Sequence, residues 1–316
     1  MSVTTINNKL QTLDQVLAGL MRRYRQRVPD VAAIVKTMAR AGLIEREENI
    51  ENDHIAFRTM GVPHLGVASL EKLFLSYGYE RRDRFNFAHK KLTAYWYAPP
   101  SPSYPRIFIS ELRVSELSAE AQAIIRSYTN EVTADPVEAL DLADSAAVDA
   151  FLHQALWRLP TWANYQQLSG ESEYAAWVIY NRYYLNHFTI SVHNLPLGYQ
   201  TIGQFNEFLE ANGFRLNDSG GQAKVSPDGK LIQSSTVAAM VEAEFADGQG
   251  GLETHPISGS YVEFAERRLL DAYAGLAPNQ IRREHRRDGF EAGNADRIFE
   301  STYSHQTQRS KVSPRK

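Results

Sequence analysis

The chain of 316 residues is 43% hydrophobic and 22% charged, with a formal net charge of −3 at pH 7, which is typical of a globular protein and predicts no nucleic-acid partner. It contains no cysteine, which excludes disulfides, zinc ribbons and iron–sulfur clusters, so any metal has to be held by histidine, carboxylate or backbone oxygen. No apolar run approaches the roughly 20 residues that cross a bilayer, so we expect no membrane partner and a cytoplasmic location.

The amino-terminal segment, residues 1–50, is predicted to be helical. Apolar residues such as Leu13, Val16 and Leu20 recur at helical spacing, and Pro29 marks a second helix start. This segment precedes a region of different character.

Residues 51–115 read as a strand, a helix and two or three further strands. HIAFRTM alternates as a strand does, SLEKLFLSYGYE has the period of an amphipathic helix, and KLTAYWYAPP and RIFISELRV alternate again. This order predicts a first βαβββ module.

The remaining chain repeats the pattern after a helical interruption. Residues 116–182 are predicted to be a helical insertion, residues 183–270 a second βαβββ module, and residues 271–316 a carboxy-terminal extension that contains the basic run RREHRRDGF. We interpret that run as a solvated surface. All five segments are expected to form one integrated domain.

The two modules match element by element, which indicates an internal duplication. Their helices align with Gly78 on Gly213, and each helix follows a strand that begins with histidine. A later strand in each module carries a glutamate, Glu111 or Glu263. The predicted fold class is therefore α+β, with two βαβββ modules forming a curved sheet.

Strand alternation separates the side chains of the first strand into two faces. Ile55 and Phe57 share the face that packs on the helix, whereas His54 and Arg58 share the opposite face. Their Cα atoms would lie roughly 13 Å apart, which leaves room for a short molecule between a metal at His54 and a carboxylate at Arg58.

The second module offers partners for His54. His187 lies on the polar face of its strand, and Glu263 alternates with apolar neighbours. Two histidines and one carboxylate form the triad that suits non-haem Fe(II) and dioxygen. A lone histidine at a strand start is, however, more often a hydrogen-bonded structural residue. Gln233 and Ser235 share a strand face and could bind substrate, although ordinary sheet polarity explains them equally well.

Four motifs in order, NDHIAFRT, NRYYLNHFTISV, KLIQSSTVA and ISGSYVEFAERR, resemble the 2-oxoadipate dioxygenase/decarboxylase family, which is related to the vicinal oxygen chelate fold. The resemblance implies that His54, His187 and Glu263 are iron ligands. It also implies that Arg58, the arginine four residues after the first ligand, holds the substrate.

The function implied by this resemblance is Fe(II)-dependent conversion of 2-oxoadipate, or a similar 2-oxo acid, with O2 to 2-hydroxyglutarate and CO2. Alternatives are another metalloenzyme of the same fold, such as an extradiol dioxygenase or an isomerase, and a non-catalytic module that binds a small acid. A further alternative is that the polar strand faces are only solvent-exposed. The sequence predicts no particular oligomeric state.

Overall fold

The computed structural model describes residues 3–308, with side chains from residue 7 onwards. The helices are α1 (Val3–Arg27), α2 (Pro29–Arg40), α3 (Val67–Ser76), α4 (Ala119–Thr129), α5 (Ser145–His153), α6 (Trp162–Glu171), α7 (Glu173–Asn181), α8 (Ile202–Ala211), α9 (Ala292–Ile298) and α10 (Ser304–Thr307). The strands are β1 (Asn52–Met60), β2 (Glu80–Phe87), β3 (Leu92–Ala98), β4 (Arg106–Leu112), β5 (His187–Ser191), β6 (Lys224–Val225), β7 (Leu231–Ser235), β8 (Met240–Ala246), β9 (Leu252–Ser258) and β10 (Tyr261–Arg267).

The strands form an eight-stranded sheet in the order β2-β3-β4-β1-β5-β10-β7-β6 and a separate β8-β9 pair. Two compact units can be distinguished. The first unit consists of Met1–Pro29, Asn52–Thr189 and Glu242–His255. The second unit consists of Asp30–Glu51, Ile190–Val241 and Pro256–Lys316.

The first module follows the predicted strand, helix, three-strand order. Strand β1 pairs parallel with β4, and β3 pairs antiparallel with both β4 and β2. The ring of Phe57 packs on Phe74 of α3 with centroids 5.4 Å apart, and Ile55 is buried. This confirms that these two side chains form the packing face, where burial of each stabilises the fold by about 1.5–3 kcal/mol.

The second module has the same order, but with an insertion. It runs through β5, α8, β6, β7 and β10, and the ring of Phe205 in α8 packs on Phe264 in β10 at 5.1 Å. KLIQSSTVAAMV reads as one strand in the sequence, but β7 ends at Ser235 and β8 begins at Met240. The chain leaves β7 because Ala238 donates its backbone N–H to the carbonyl of Ser301, outside any strand ladder.

The segments before and after the first module are mainly helical. Helices α1 and α2 precede it, and α4 to α7 follow it. Leu13, Val16 and Leu20 of α1 are fully buried, as their helical spacing predicts. Within residues 3–308, no helix combines the length and the apolar character that a membrane span requires.

In each module, a carboxylate from the last strand binds the helix amino terminus. Glu111 accepts the backbone N–H of Val67, the first residue of α3, at 2.8 Å. Glu266 accepts the N–H of Ile202, the first residue of α8, at 2.9 Å. These N–H groups have no partner inside the helix, and the helix dipole favours a negative charge there. The counterpart of Glu111 is therefore Glu266, and not Glu263 as the sequence alignment suggested.

The glycine before α3 allows Glu111 to approach. Gly66 has φ +81° and ψ −162°, a conformation that is essentially restricted to glycine. A Cβ atom at this position would lie 2.2 Å from Oε2 of Glu111. The backbone conformation and the close approach both require glycine.

Candidate metal centre

His54 lies near the start of β1 and is 1% exposed. Its Nδ1 atom lies 2.8 Å from Oδ1 of Asp53, and Oδ2 of Asp53 accepts a hydrogen bond from Arg106 at 3.3 Å. A carboxylate beside Nδ1 holds the imidazole proton there and leaves the lone pair on Nε2. The Nε2 atom faces the hydroxyl of Thr189 at 3.0 Å. His54 therefore presents Nε2 as its potential ligand atom.

His187 begins β5 and is also buried. Its Nδ1 atom lies 3.0 Å from the amide oxygen of Asn186, so this ring too is oriented through Nδ1. Burial, followed by the nearby His54 and Arg58, holds the pKa of His187 well below its ordinary value. The imidazole is therefore neutral near pH 7, which is the form that binds metals.

Glu263 lies in the middle of β10 and is 1% exposed. Its Oε1 atom accepts a hydrogen bond of 2.6 Å from the side-chain amide of Gln233 on β7. The amide oxygen of Gln233 in turn accepts a hydrogen bond of 3.0 Å from Asn294 on α9. The side-chain amides of Asn294 and Gln233 thus form consecutive hydrogen bonds that fix the orientation of the buried Glu263 carboxylate.

Among the described residues, His54, His187 and Glu263 form a group whose potential ligand atoms all lie within 4.8 Å of one another. The imidazole rings are 5.4 Å apart and nearly perpendicular, at 85°. Two imidazoles and one carboxylate, each oriented by a separate hydrogen bond, fit a first-row divalent cation. The three residues that the strand pattern predicted to converge are thus brought together as a possible metal site.

Arg58 is buried on β1, with its guanidinium carbon 5.2 Å from the ring centroids of both Tyr174 and Trp177 in α7. The hydroxyl of Tyr174 accepts the backbone N–H of Thr59 at 3.1 Å and lies 2.8 Å from Oγ of Ser110. Helix α7 therefore holds two aromatic rings against a desolvated cation, and such contacts are stronger out of water.

Gln233 and Ser235, the two predicted substrate contacts, are both buried on β7 and bonded within the second unit. Gln233 bonds Glu263 and Asn294 through its two amide atoms. The hydroxyl of Ser235 lies 2.8 Å from that of Ser301. In this structure, Gln233 orients a carboxylate of the candidate site.

Sequence reasoning missed the residues that support the site. Asp53 and Asn186 each precede a candidate ligand, and alternation alone would direct them to the opposite strand face. Tyr174 and Trp177 lie in the predicted helical insertion. Their spacing of three residues, which places both side chains on one face of a helix, was the signal that the sequence offered. Asn294 follows the basic run, and nothing in its local sequence indicates a role.

Comparisons with known proteins place these features in a family. The family model described as 2-oxoadipate dioxygenase/decarboxylase matches residues 16–280. An Arabidopsis thaliana protein named 2-oxoadipate dioxygenase/decarboxylase, chloroplastic, is 46% identical over 268 residues, which cover 81% of this chain and 69% of that protein. An Oryza sativa subsp. japonica protein with the same activity name, chloroplastic/amyloplastic, is 42% identical over 304 residues, which cover 93% and 79%.

Solved structures agree with this relationship. The crystal structure of the hydroxyglutarate synthase in complex with 2-oxoadipate from Oryza sativa is similar with a TM-score of 0.84 and 41% identity, covering 96% of this chain and 95% of that one. A glyoxalase superfamily protein from Ralstonia eutropha JMP134 shares the fold, with a TM-score of 0.69 and 22% identity over 88% and 85% of the two chains. The predicted α+β, vicinal oxygen chelate-like fold is confirmed.

The expectation of a cytoplasmic location is wrong by the same comparison. The Arabidopsis relative is named as chloroplastic and the rice relative as chloroplastic/amyloplastic. Composition and the lack of a long apolar run concern membrane insertion, and they do not distinguish one aqueous compartment from another.

Proposed function

The chain belongs to the 2-oxoadipate dioxygenase/decarboxylase family, and from this premise we propose that it converts 2-oxoadipate and O2 to 2-hydroxyglutarate and CO2. Both oxygen atoms of O2 enter the products, so no external reductant is required. The observation that carries the proposal is the buried group of His54, His187 and Glu263 in a chain that is 41% identical to a hydroxyglutarate synthase solved with 2-oxoadipate.

We propose that His54, His187 and Glu263 hold Fe(II) in this reaction. Two neutral imidazoles and one carboxylate leave a divalent ion with net positive charge, which favours an anionic 2-oxo acid as an additional ligand. The bound iron would supply the electron transfer that dioxygen needs to react. Asp53 and Asn186 keep the imidazole rings in their orientations, and Gln233 does the same for the carboxylate.

Arg58 is proposed to pair with a carboxylate of the substrate. Its planar guanidinium can donate two parallel hydrogen bonds, which a lysine cannot imitate. The rings of Tyr174 and Trp177 restrict the guanidinium and exclude water from its faces. A desolvated, restricted cation binds an anion at low entropic cost and orients it for reaction.

The test is to load the purified protein anaerobically with Fe(II) and then add oxygen with each member of a panel of 2-oxo acids. Oxygen uptake, CO2 release and product mass are measured together. We expect one O2 consumed per CO2 released with 2-oxoadipate, and a product with the mass of 2-hydroxyglutarate. His187→Ala and Glu263→Ala should lose both iron and turnover. Full oxygen uptake by metal-analysed variants that lack iron would contradict the ligand assignment.

The same experiment separates the other enzyme classes of this fold. An extradiol dioxygenase would consume oxygen with catechols and release no CO2 from 2-oxo acids. An isomerase would need the metal but no oxygen. A non-catalytic binding module would bind the acid and leave it unchanged.

A further inference from the structure

The basic run RREHRRDGF, residues 282–290, folds against the end of β10. Arg287 donates its backbone N–H to the carbonyl of Arg268 at 2.9 Å. The guanidinium of Arg286 donates to the carbonyl of Arg267 at 2.7 Å. The run is therefore more than a solvated surface, because its middle is fastened to a strand of the same unit and Arg286 is half-buried.

Arg286 lines a cavity of about 460 Å³ within the second unit. Cavities of about 300–1,000 Å³ are the size that holds small organic ligands. Arg267 and Arg268 also line it, and Glu266 supplies the carboxylate of the wall. Guanidinium groups stay charged in proteins, so three of them against one carboxylate give the cavity an excess of positive charge. This excess favours an anionic ligand.

The two carboxylates that act on Arg286 are engaged elsewhere. Burial lowers the pKa of Arg286, whereas Glu51 and Glu266 act in the opposite direction. Oε1 of Glu266 accepts a hydrogen bond from Arg268 at 2.7 Å, and Oε2 accepts the first N–H of α8 at 2.9 Å. The carboxylate of Glu51 accepts hydrogen bonds from the end of β5 and the turn that follows it. In the described part of the chain, Arg286 forms no ion pair within 4.0 Å.

Two of the guanidinium groups keep hydrogen-bond donors for a ligand. A guanidinium has five N–H donors. The hydrogen bonds of the Arg286 group use Nη1, and those of the Arg268 group use Nε. Among the described residues, Nε and Nη2 of Arg286 and both Nη atoms of Arg268 have no acceptor. An oxyanion in the cavity can accept from these donors and neutralise a partly desolvated cation.

We propose that this cavity binds a small organic phosphate monoester. A phosphate group carries a charge of about −1.5 to −2 near pH 7 and three acceptor oxygens, so it can satisfy two planar guanidinium groups at once. Pro278 and Ile281 line the same cavity and offer apolar contact to the organic part of the ester. The cavity shares no residue with the candidate metal centre, so this site goes beyond the proposed function.

The test measures binding of ribose 5-phosphate to the whole chain, dialysed against a metal chelator, by isothermal titration calorimetry. Inorganic phosphate and ribose are the comparison probes. We expect Arg286→Gln and Arg268→Gln each to weaken binding of ribose 5-phosphate by about tenfold or more, since each removes charge-assisted donors. The matched control is Arg287→Gln, because Arg287 pairs with Asp228 and Glu291 and lies outside the cavity wall. Its affinity should stay within about threefold of the wild type.

No binding by the wild type, or equal weakening in Arg286→Gln and Arg287→Gln, overturns the inference. Inorganic phosphate that binds as tightly as the ester would contradict the assignment of a monoester. Arg58→Gln should bind the ester as the wild type does, and weakening in this variant would instead place the anion at the candidate metal centre.

A second measurement applies if Arg286→Gln does not fold. Hydrogen–deuterium exchange of the wild type is then compared with and without ribose 5-phosphate. We expect the ester to slow exchange in residues 193–200 and 266–286, which surround the cavity. Protection confined to other segments would rule out this site.

Discussion

Each imidazole of the candidate metal centre is oriented by the residue that precedes it. His54 has the carboxylate of Asp53 at Nδ1, whereas His187 has the amide oxygen of Asn186. The acceptor of the His54 ring is thus a carboxylate that Arg106 anchors, whereas the acceptor of the His187 ring is an uncharged amide. The two imidazoles of the candidate site are therefore not chemically equivalent.

Asp53→Asn tests this orientation without removing a ligand. The amide keeps the shape of the side chain but loses the charge, so we expect metal affinity to fall about 10–100-fold while one metal still binds at saturation. Equilibrium titration with a competing chelator measures this affinity. Asn186→Ala is the companion variant, and an affinity equal to that of the wild type in Asp53→Asn would contradict the orienting role.

Arg58→Lys tests the geometry of the guanidinium group while the positive charge is kept. Lysine cannot form the planar fork or the paired contacts with Tyr174 and Trp177, so KM for the 2-oxo acid should rise at least about tenfold. Iron content should be unchanged. Arg81→Lys is a matched control, because Arg81 stacks on Tyr95 at 3.7 Å in an exposed position. Loss of iron in Arg58→Lys would argue against a substrate role.

The sequence predicts the position of a single side chain where strand alternation determines the face of the strand on which it lies. The shared strand face of His54 and Arg58 follows from the period of one strand, and Phe57 is confirmed on the opposite face, where it packs on Phe74 of α3. Asp53 does not follow, because its carboxylate reaches a ring that alternation directs to the other face. Trp177 was beyond prediction because its contact with Arg58 bridges well over a hundred positions of sequence.

At the scale of the element, the start of α3 depends on a glycine and a carboxylate together. Gly66→Ala would place a Cβ atom 2.2 Å from Glu111 and keep a backbone conformation that costs about 1–3 kcal/mol without glycine. We expect the free energy of unfolding to fall by at least that amount in urea titrations. Gly203→Ala in α8 is the control, since its Cβ meets nothing within 4 Å and alanine should leave stability equal or higher by up to about 1 kcal/mol. Equal values for the two variants would refute the requirement.

The elements themselves were largely predictable, and their boundaries were less so. Helix and strand periods differ enough to give the order of both modules. The break between β7 and β8 is set by distant backbone partners, such as the carbonyl of Ser301 for Ala238, and an apolar run does not reveal it. The order of strands in the sheet likewise depends on pairings between distant segments.

For the molecule as a whole, the pKa of Lys224, which burial lowers, predicts that the free energy of unfolding depends on pH. Its pKa is about 8 when folded and 10.5 ordinarily, so between these values the unfolded chain binds more protons. The contribution of Lys224 to the free energy of unfolding therefore rises between pH 8 and pH 10.5, by up to about 3 kcal/mol. Urea unfolding at several pH values should show this rise in the wild type and its loss in Lys224→Met. The control is Lys230→Met, which removes a lysine that pairs with Asp271 and should retain the rise, and identical profiles for all three proteins would contradict the prediction.

The two glutamates that bind helix amino termini show which positions of the two modules correspond. If Glu111 corresponds to Glu266, then the position that corresponds to Glu263 is Phe108, three residues before Glu111. Phe108 lies opposite Ala56 on the face that carries His54, and its ring contacts Phe85 at 6.0 Å. Both modules therefore keep the carboxylate that binds the helix amino terminus, whereas only the second module has a carboxylate at the position of the candidate metal ligand. In the first module the same position holds an aromatic ring, so the two-fold repeat of the scaffold presents an asymmetric set of candidate ligands.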